Sequence, residues 1–195
     1  VRLIQQAANI SRQGGVVVYP TDSAYALGCQ LGDKKAADRI RRIRTLQDDH
    51  NFTLMCRDLS ELGTYARVDN AVYRLIRSAT PGPYTFILEA TREVPKRLVQ
   101  PKRKTIGLRV PAHPIPRALL DLLDEPLMSV TWQMPGDAFP LTDPYDIRDQ
   151  LEHEVDLVID GGFCGLEATS VVDLTGPEPH ILRRGLGDVS DFAVA

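Results

Sequence analysis

The chain reads as an α/β protein built on one twisted sheet of mixed parallel and antiparallel strands, flanked by helices. Three observations predict it. Val16, Val17 and Val18 form a β-branched run, the pattern of a strand buried on both faces. Helix-like and strand-like patterns alternate from end to end, without a long linker, low-complexity stretch or internal repeat. Helices connect some strands while others follow one another through turns, so both strand directions are expected in one sheet. At 195 residues, with 43% hydrophobic and 25% charged residues, the chain suits a single domain (1–195) able to bury a substantial core.

Residues 3–13 read as a helix that Gly14-Gly15 closes. The valine strand follows and stops at Pro20, which lacks a backbone donor. Thr21, Asp22 and Ser23 then lie just past the strand's carboxyl end, where open α/β sheets tend to hold ligands. Asp33 caps a second helix with Ile40 and Ile43 inward and its arginines outward. A strand is expected at 52–56. Asp69 opens a helix with Val72, Leu75 and Ile76 inward, ended by Pro81-Gly82-Pro83. Strands are expected at 84–90, 105–110 and 127–132, with a helix at 115–123. After an irregular stretch at 134–142, Asp143-Pro144 opens a helix reaching Glu152. Strands at 155–159, 170–174 and 180–183 complete the sheet.

The net charge of -3 conceals a segregation. Residues 34–44 and 92–109 hold more than half of the 23 basic residues, and acidic residues gather at 137–160. Such segregation suits a phosphate-bearing partner, although two solvated faces would look the same. Three widely spaced cysteines, Cys29, Cys56 and Cys164, make a disulfide framework improbable and fit a reducing cytoplasm. The histidines share no ligand-like spacing with them, so no metal site is expected. No run approaches a membrane span and no leader pattern opens the sequence. A monomer or weak dimer is expected.

Several residues are candidates for chemistry. Arg109 interrupts an apolar strand, and a guanidinium there is either paired with an aspartate or reserved for phosphate or carboxylate. Thr21, Ser23 and Thr85 offer hydroxyls that either cap local amides or line a pocket. Trp132 is either a core residue or a platform for a base. The glycine-rich loop at 160–165 lacks a Walker ending and reads as an ordinary turn.

The segment 14–28, with its Tyr19-Pro20-Thr21-Asp22-Ser23 turn, resembles the first signature of the YrdC/YciO family, best known for threonylcarbamoyl-AMP synthases. Family-like segments recur in order at Pro81-Gly82-Pro83-Tyr84-Thr85, Ile106-Gly107-Leu108-Arg109, Asp160-Gly161-Gly162, Thr169-Ser170-Val171-Val172-Asp173 and Ile181-Leu182-Arg183. Segments 50–62 and 102–107 are most similar to the YciO branch. The resemblance spans roughly residues 14–187.

It implies a YrdC-like fold with a basic concave groove. It further implies a nucleotidyltransferase-like enzyme condensing threonine, bicarbonate and ATP, with Mg²⁺ accompanying the ATP, into threonylcarbamoyl-AMP and pyrophosphate for tRNA modification. Arg44 and Arg109 are the implied catalytic cations. Thr21, Ser23, Thr85, Thr131 and Gln133 would hold substrate, and Arg44, Thr169, Ser170 and Arg183 the nucleotide. Arg41, Arg42, Lys102, Arg103 and Lys104 are candidates for binding tRNA or double-stranded RNA. Two departures argue for weakened or altered activity. Arg44-Thr45-Leu46 stands where the synthases carry Lys-x-Arg, and Thr131-Trp132-Gln133 stands for Ser-x-Asn. A non-catalytic RNA-binding module and a hydrolase of a threonylcarbamoyl-nucleotide are the alternatives.

Overall fold

The computed structural model describes residues 2–45, 52–133 and 136–193. Their backbone alternates as follows: α1 (Arg2–Arg12), β1 (Val17–Tyr19), β2 (Ala26–Gln30), α2 (Lys34–Arg44), β3 (Thr53–Met55), α3 (Leu59–Tyr65), β4 (Ala66–Arg67) and α4 (Asn70–Ala79). Then come β5 (Tyr84–Ala90), β6 (Thr105–Arg109), α5 (Pro114–Leu123), β7 (Leu127–Thr131), α6 (Pro144–Leu151), β8 (Leu157–Val158), β9 (Ser170–Asp173) and β10 (His180–Arg183). The side chains of Asp33, Asp69 and Asp143 accept the N–H groups of Ala36, Val72 and Tyr145, so each caps the helix its position predicted. Gly14, at φ +86°, ends α1 in the left-handed region.

All strands join one sheet in the order β10-β9-β5-β6-β3-β7-β2-β1-β8, with β4 beside β5. The pairs β1/β8, β3/β6 and β5/β9 are parallel and the rest antiparallel, so the sheet is mixed as expected. Strand β2, helix α3 and strand β4 are additions to the sequence reading. β2 pairs with β1 through the tight turn at 20–25, and with β7 on its other side. The strand expected at 155–159 is only the short edge β8.

Strand alternation divides the side chains between two faces. One carries Leu27, Leu54, Phe86, Leu108, Met128 and Val172, all fully buried. Ala36 and Ile40 of α2, Leu62 of α3, Ile76 of α4 and Ile147 of α6 share that large core. Trp132 is buried there too, so it is a core residue and not a base platform. On the opposite face α1 and α5 cover only part of the sheet, packing Ala7, Ala8, Leu119 and Leu120 on Val17, Tyr19, Ala26, Met55 and Leu127. The rest of that face has no helix over it in the described residues. Small and hydroxylic residues lie there, and they form the floor of a groove.

Candidate functional site

The groove has a volume of about 370 Å³. Its floor is read directly from the register. Ser129 of β7 lies opposite Thr53 of β3, Thr53 opposite Gly107 of β6, and Gly107 opposite Ile87 of β5. Thr53 and Ser129 share a strand face with Met55 and Leu127, two residues away on their own strands, and Gly107 and Ile87 continue that face across the register where α1 and α5 no longer reach. A Cβ at Gly107 would stand 3.3 Å from the Thr85 methyl and 3.6 Å from the Thr53 hydroxyl, so the missing side chain deepens the floor.

Three arginines line this groove, from three different elements, and no carboxylate lines it among the described residues. Arg109 ends β6 and is 5% exposed. Its Nη2 donates to Asp22 Oδ1 at 2.8 Å and to Ser23 Oγ at 3.3 Å, while its buried Nε has no partner. Asp22 also accepts the Ala112 N–H at 2.9 Å, which fixes the carboxylate behind the guanidinium. Burial pulls the Arg109 guanidinium below its ordinary value, and the neighbouring Asp22 charge opposes that. Arg109 is thus ion-paired to Asp22, with its buried Nε left without a partner.

Arg183 reaches the groove because of a backbone irregularity. Ile181 lies opposite Val172 but Arg183 lies opposite Val171, a one-residue shift at Leu182. Regular pairing would set Arg183 across from Ser170, on the core face; the bulge sends it to the groove and leaves Leu182 exposed. Arg183 Nε donates to the Thr169 carbonyl and Nη2 to Thr169 Oγ1, both at 2.9 Å. Thr169 Oγ1 in turn lies 2.8 Å from Thr85 Oγ1. Arg44, the last residue of α2, donates from Nε to the Gln133 carbonyl at 2.9 Å. Partial burial lowers both arginines' pKa values.

Of the residues singled out from sequence, Arg44, Arg109, Thr85, Thr131, Gln133, Thr169 and Arg183 meet at this groove. Thr21, Ser23 and Ser170 do not line it. The Thr21 hydroxyl donates to the Ala24 carbonyl at 2.6 Å and accepts the Ser23 N–H, closing the β1–β2 turn that carries Asp22. Ser23 stands behind Arg109. Ser170 is fully buried on the other face, donating to the Gly187 carbonyl at 2.6 Å and accepting from Gly185 N–H. Leu46, where a second cation is absent by comparison with the synthases, lies outside the described residues.

The five residues considered for RNA lie away from the groove lining. Arg41 donates to Asp38 at 3.2 Å and lies over the Phe52 ring, and Arg103 donates to Asp173 at 2.7 Å and to Thr175. Arg42, Lys102 and Lys104 are exposed. Sequence reasoning missed Thr53, Ser129, Ile87 and Gly107. Three of them share one signal, period-two spacing on a strand face with residues already singled out: Ser129 with Thr131, Gly107 with Arg109, Ile87 with Thr85; Thr53 has no such neighbour.

No grouping of potential metal ligands occurs among the described residues, and no helix in them is long and apolar enough to cross a membrane. Fold and site thus define an α/β protein with an open groove, lined by three arginines, on one face of its sheet. The chain belongs to the Sua5/YciO/YrdC family, whose model, described as telomere recombination, matches residues 9–185. It is 59% identical to the protein YciO of Escherichia coli K12 over 98% of this chain and 93% of that one. It is 30% identical to a threonylcarbamoyl-AMP synthase of Halorhodospira halophila, covering 93% of this chain and 94% of the synthase. The crystal structure of E. coli YciO superposes with a TM-score of 0.94 at 58% identity over 98% of this chain and 93% of that one. Pyrococcus abyssi Sua5, solved in complex with L-threonine, superposes with a TM-score of 0.85 at 27% identity over 93% of this chain and 54% of that one.

Proposed function

We propose that the groove binds ATP, as its Mg²⁺ complex, beside a threonine-like amino acid, and that the protein is a nucleotidyltransferase of the threonylcarbamoyl-AMP synthase type with reduced or altered turnover. One observation carries this reading: three guanidinium groups converge on a single hydroxyl-floored groove that no carboxylate lines among the described residues. Such a surface favours a polyanion and leaves Mg²⁺ to travel on the phosphates. The relation to a Sua5 solved with L-threonine supports an amino-acid subsite in the same fold.

In this reaction the amino acid and bicarbonate condense to a carbamate with loss of water, and a carbamate oxygen attacks the α-phosphorus of ATP as pyrophosphate leaves. Arg44, Arg109 and Arg183 neutralise charge that shifts onto the leaving phosphates, the main catalytic contribution available for phosphoryl-type transfer. Reduced turnover follows from Leu46, an apolar residue where the synthases carry their second cation. A lost phosphate cation costs about 2–4 kcal/mol at such a transition state.

A hydrolase is less favoured, because no carboxylate or histidine among the described lining residues is available as a general base for water. The RNA-binding alternative rests on Arg42, Lys102 and Lys104, since Arg41 and Arg103 are already engaged. If RNA retention is the function, affinity falls steeply with salt and with charge removal at those three residues.

The test is incubation with ATP, L-threonine, bicarbonate and Mg²⁺, with threonylcarbamoyl-AMP followed by mass spectrometry. Slow product formation is expected, reduced at least about tenfold in Arg183→Ala and raised in Leu46→Arg. Absence of product together with absence of ATP binding overturns the proposal.

A further inference from the structure

The proton arrangement beneath the groove follows from hydrogen-bond accounting. Tyr19 is fully buried, and its phenol oxygen lies 2.8 Å from Ser129 Oγ. Among the described residues the phenol has no other hydrogen-bond partner. A phenol and a hydroxyl each hold one proton, and a buried proton without an acceptor is costly. Were Ser129 the donor, the Tyr19 proton would be stranded in the core formed with α1 and α5. Tyr19 therefore donates, Ser129 accepts, and the Ser129 proton is left for the groove that Ser129 lines.

The position is built for this pairing. A Cβ on Gly28 would stand 2.7 Å from Tyr19 Cε1, so the ring crosses β2 only because residue 28 has no side chain. Burial pushes the phenol up to about 12, which keeps its proton in place across the physiological range. A second free proton lies on the same floor. Thr169 Oγ1 accepts from Arg183 and shares one proton contact with Thr85 Oγ1, so whichever of the two hydroxyls donates, the other's proton remains.

We infer that Ser129, oriented by Tyr19, is a ligand-binding hydrogen-bond donor that takes an anionic oxygen of the substrate alongside Arg109. Tyr19 is a positioning residue acting through Ser129. The inference rests on the function proposed above and adds to it a subsite. The shared ligand chemistry is a phosphate or carboxylate oxygen, supplied either by the nucleotide or by the amino acid.

Titration calorimetry with AMP and with L-threonine, on the unmodified protein and on Ser129→Ala, Tyr19→Phe and the double variant, tests it. Ser129→Ala is expected to weaken one ligand about tenfold, as loss of a hydrogen bond to a charged acceptor does. Loss in the AMP arm assigns the phosphate, and loss in the threonine arm assigns the carboxylate. Tyr19→Phe is expected to weaken the same ligand about threefold by itself and to add nothing in the Ser129→Ala background. The double variant removes both partners together, so it leaves no stranded proton and keeps the test open if Ser129→Ala folds poorly. Unchanged affinity for both ligands in the folded double variant overturns the inference alone. Absence of binding by the unmodified protein overturns the proposed function as well. A purely structural Tyr19 would shift the unfolding midpoint in both backgrounds without moving either Kd.

Discussion

The two faces of the sheet are made by the same strands, yet they spend their side chains differently. Facing α2, α3, α4 and α6, β3, β5, β6 and β7 present Leu54, Phe86, Leu108 and Met128 to one apolar core. Turned the other way, one residue along each strand, they present Thr53, Thr85 and Ile87, Gly107 and Ser129. Stability resides in the first set and the proposed recognition in the second. A period of two lets one stretch of chain serve both without compromise.

The largest expected effect breaks that division at its apolar side. Phe86→Ala removes a fully buried ring and is expected to cost about 3–5 kcal/mol in urea unfolding. Its groove-side counterpart Thr53→Ala, which breaks no side-chain hydrogen bond among the described residues, is expected to stay within about 0.5 kcal/mol. Comparable losses at the two positions would refute the contrast between the faces. Next in size, Arg183→Ala is expected to weaken ATP about tenfold to a hundredfold by calorimetry, the worth of a charge-assisted contact. Thermal stability should barely change, because β10 is an edge strand. A smaller effect is expected at Gly107→Ala. The added methyl presses on Thr85 at 3.3 Å and shallows the floor, lowering affinity about fivefold while the unfolding free energy shifts by less than about 1 kcal/mol.

The smallest effect concerns His113 at the start of α5, the helix that bounds the groove face. Its Nδ1 accepts the Ile115 N–H at 3.1 Å, which requires a neutral ring, and burial lowers its pKa despite the nearby Asp22. A histidine kept neutral by the fold contributes stability that is present above its unfolded pKa of about 6.5 and is lost as pH falls through the lower folded value. Acidification from about pH 7 to pH 5 should therefore cost about 0.5–1 kcal/mol at this cap. His113→Asn, a cap that does not titrate, is expected to flatten that limb of the stability profile in paired melts at the two pH values.

How much of this was legible depends on where the deciding force lies. The valine run, the aspartate caps and the long amphipathic helices are local signals, and they fell close to their observed places. β2 was not legible. Ala26-Leu27-Gly28-Cys29-Gln30 has no β-branched residue and becomes a strand because β1 and β7 bracket it. Gly28, which weakens a strand by propensity, is required there by the Tyr19 ring. At the site, Arg109 announced itself by standing in an apolar strand, whereas Arg44 and Arg183 were singled out by the family resemblance. Thr21 and Ser170 looked equivalent to Thr85 and Thr169, but their hydroxyls are consumed by neighbouring backbone. Ser129 carried no signal by itself. Its role emerges only when β7 is set beside the buried phenol of a strand more than a hundred residues earlier.

The shift at Leu182 makes strand register, and not the identity of the bulged residue, the arbiter of where one cation goes. Substituting Leu182 by another exposed residue would leave Arg183 aimed as it is, whereas regular pairing at the same chain length would set Arg183 across from Ser170 and swing the guanidinium to the opposite side of the sheet. Among relatives, then, the presence or absence of this bulge would say more about how the cleft is charged than any conservative exchange at the bulged position.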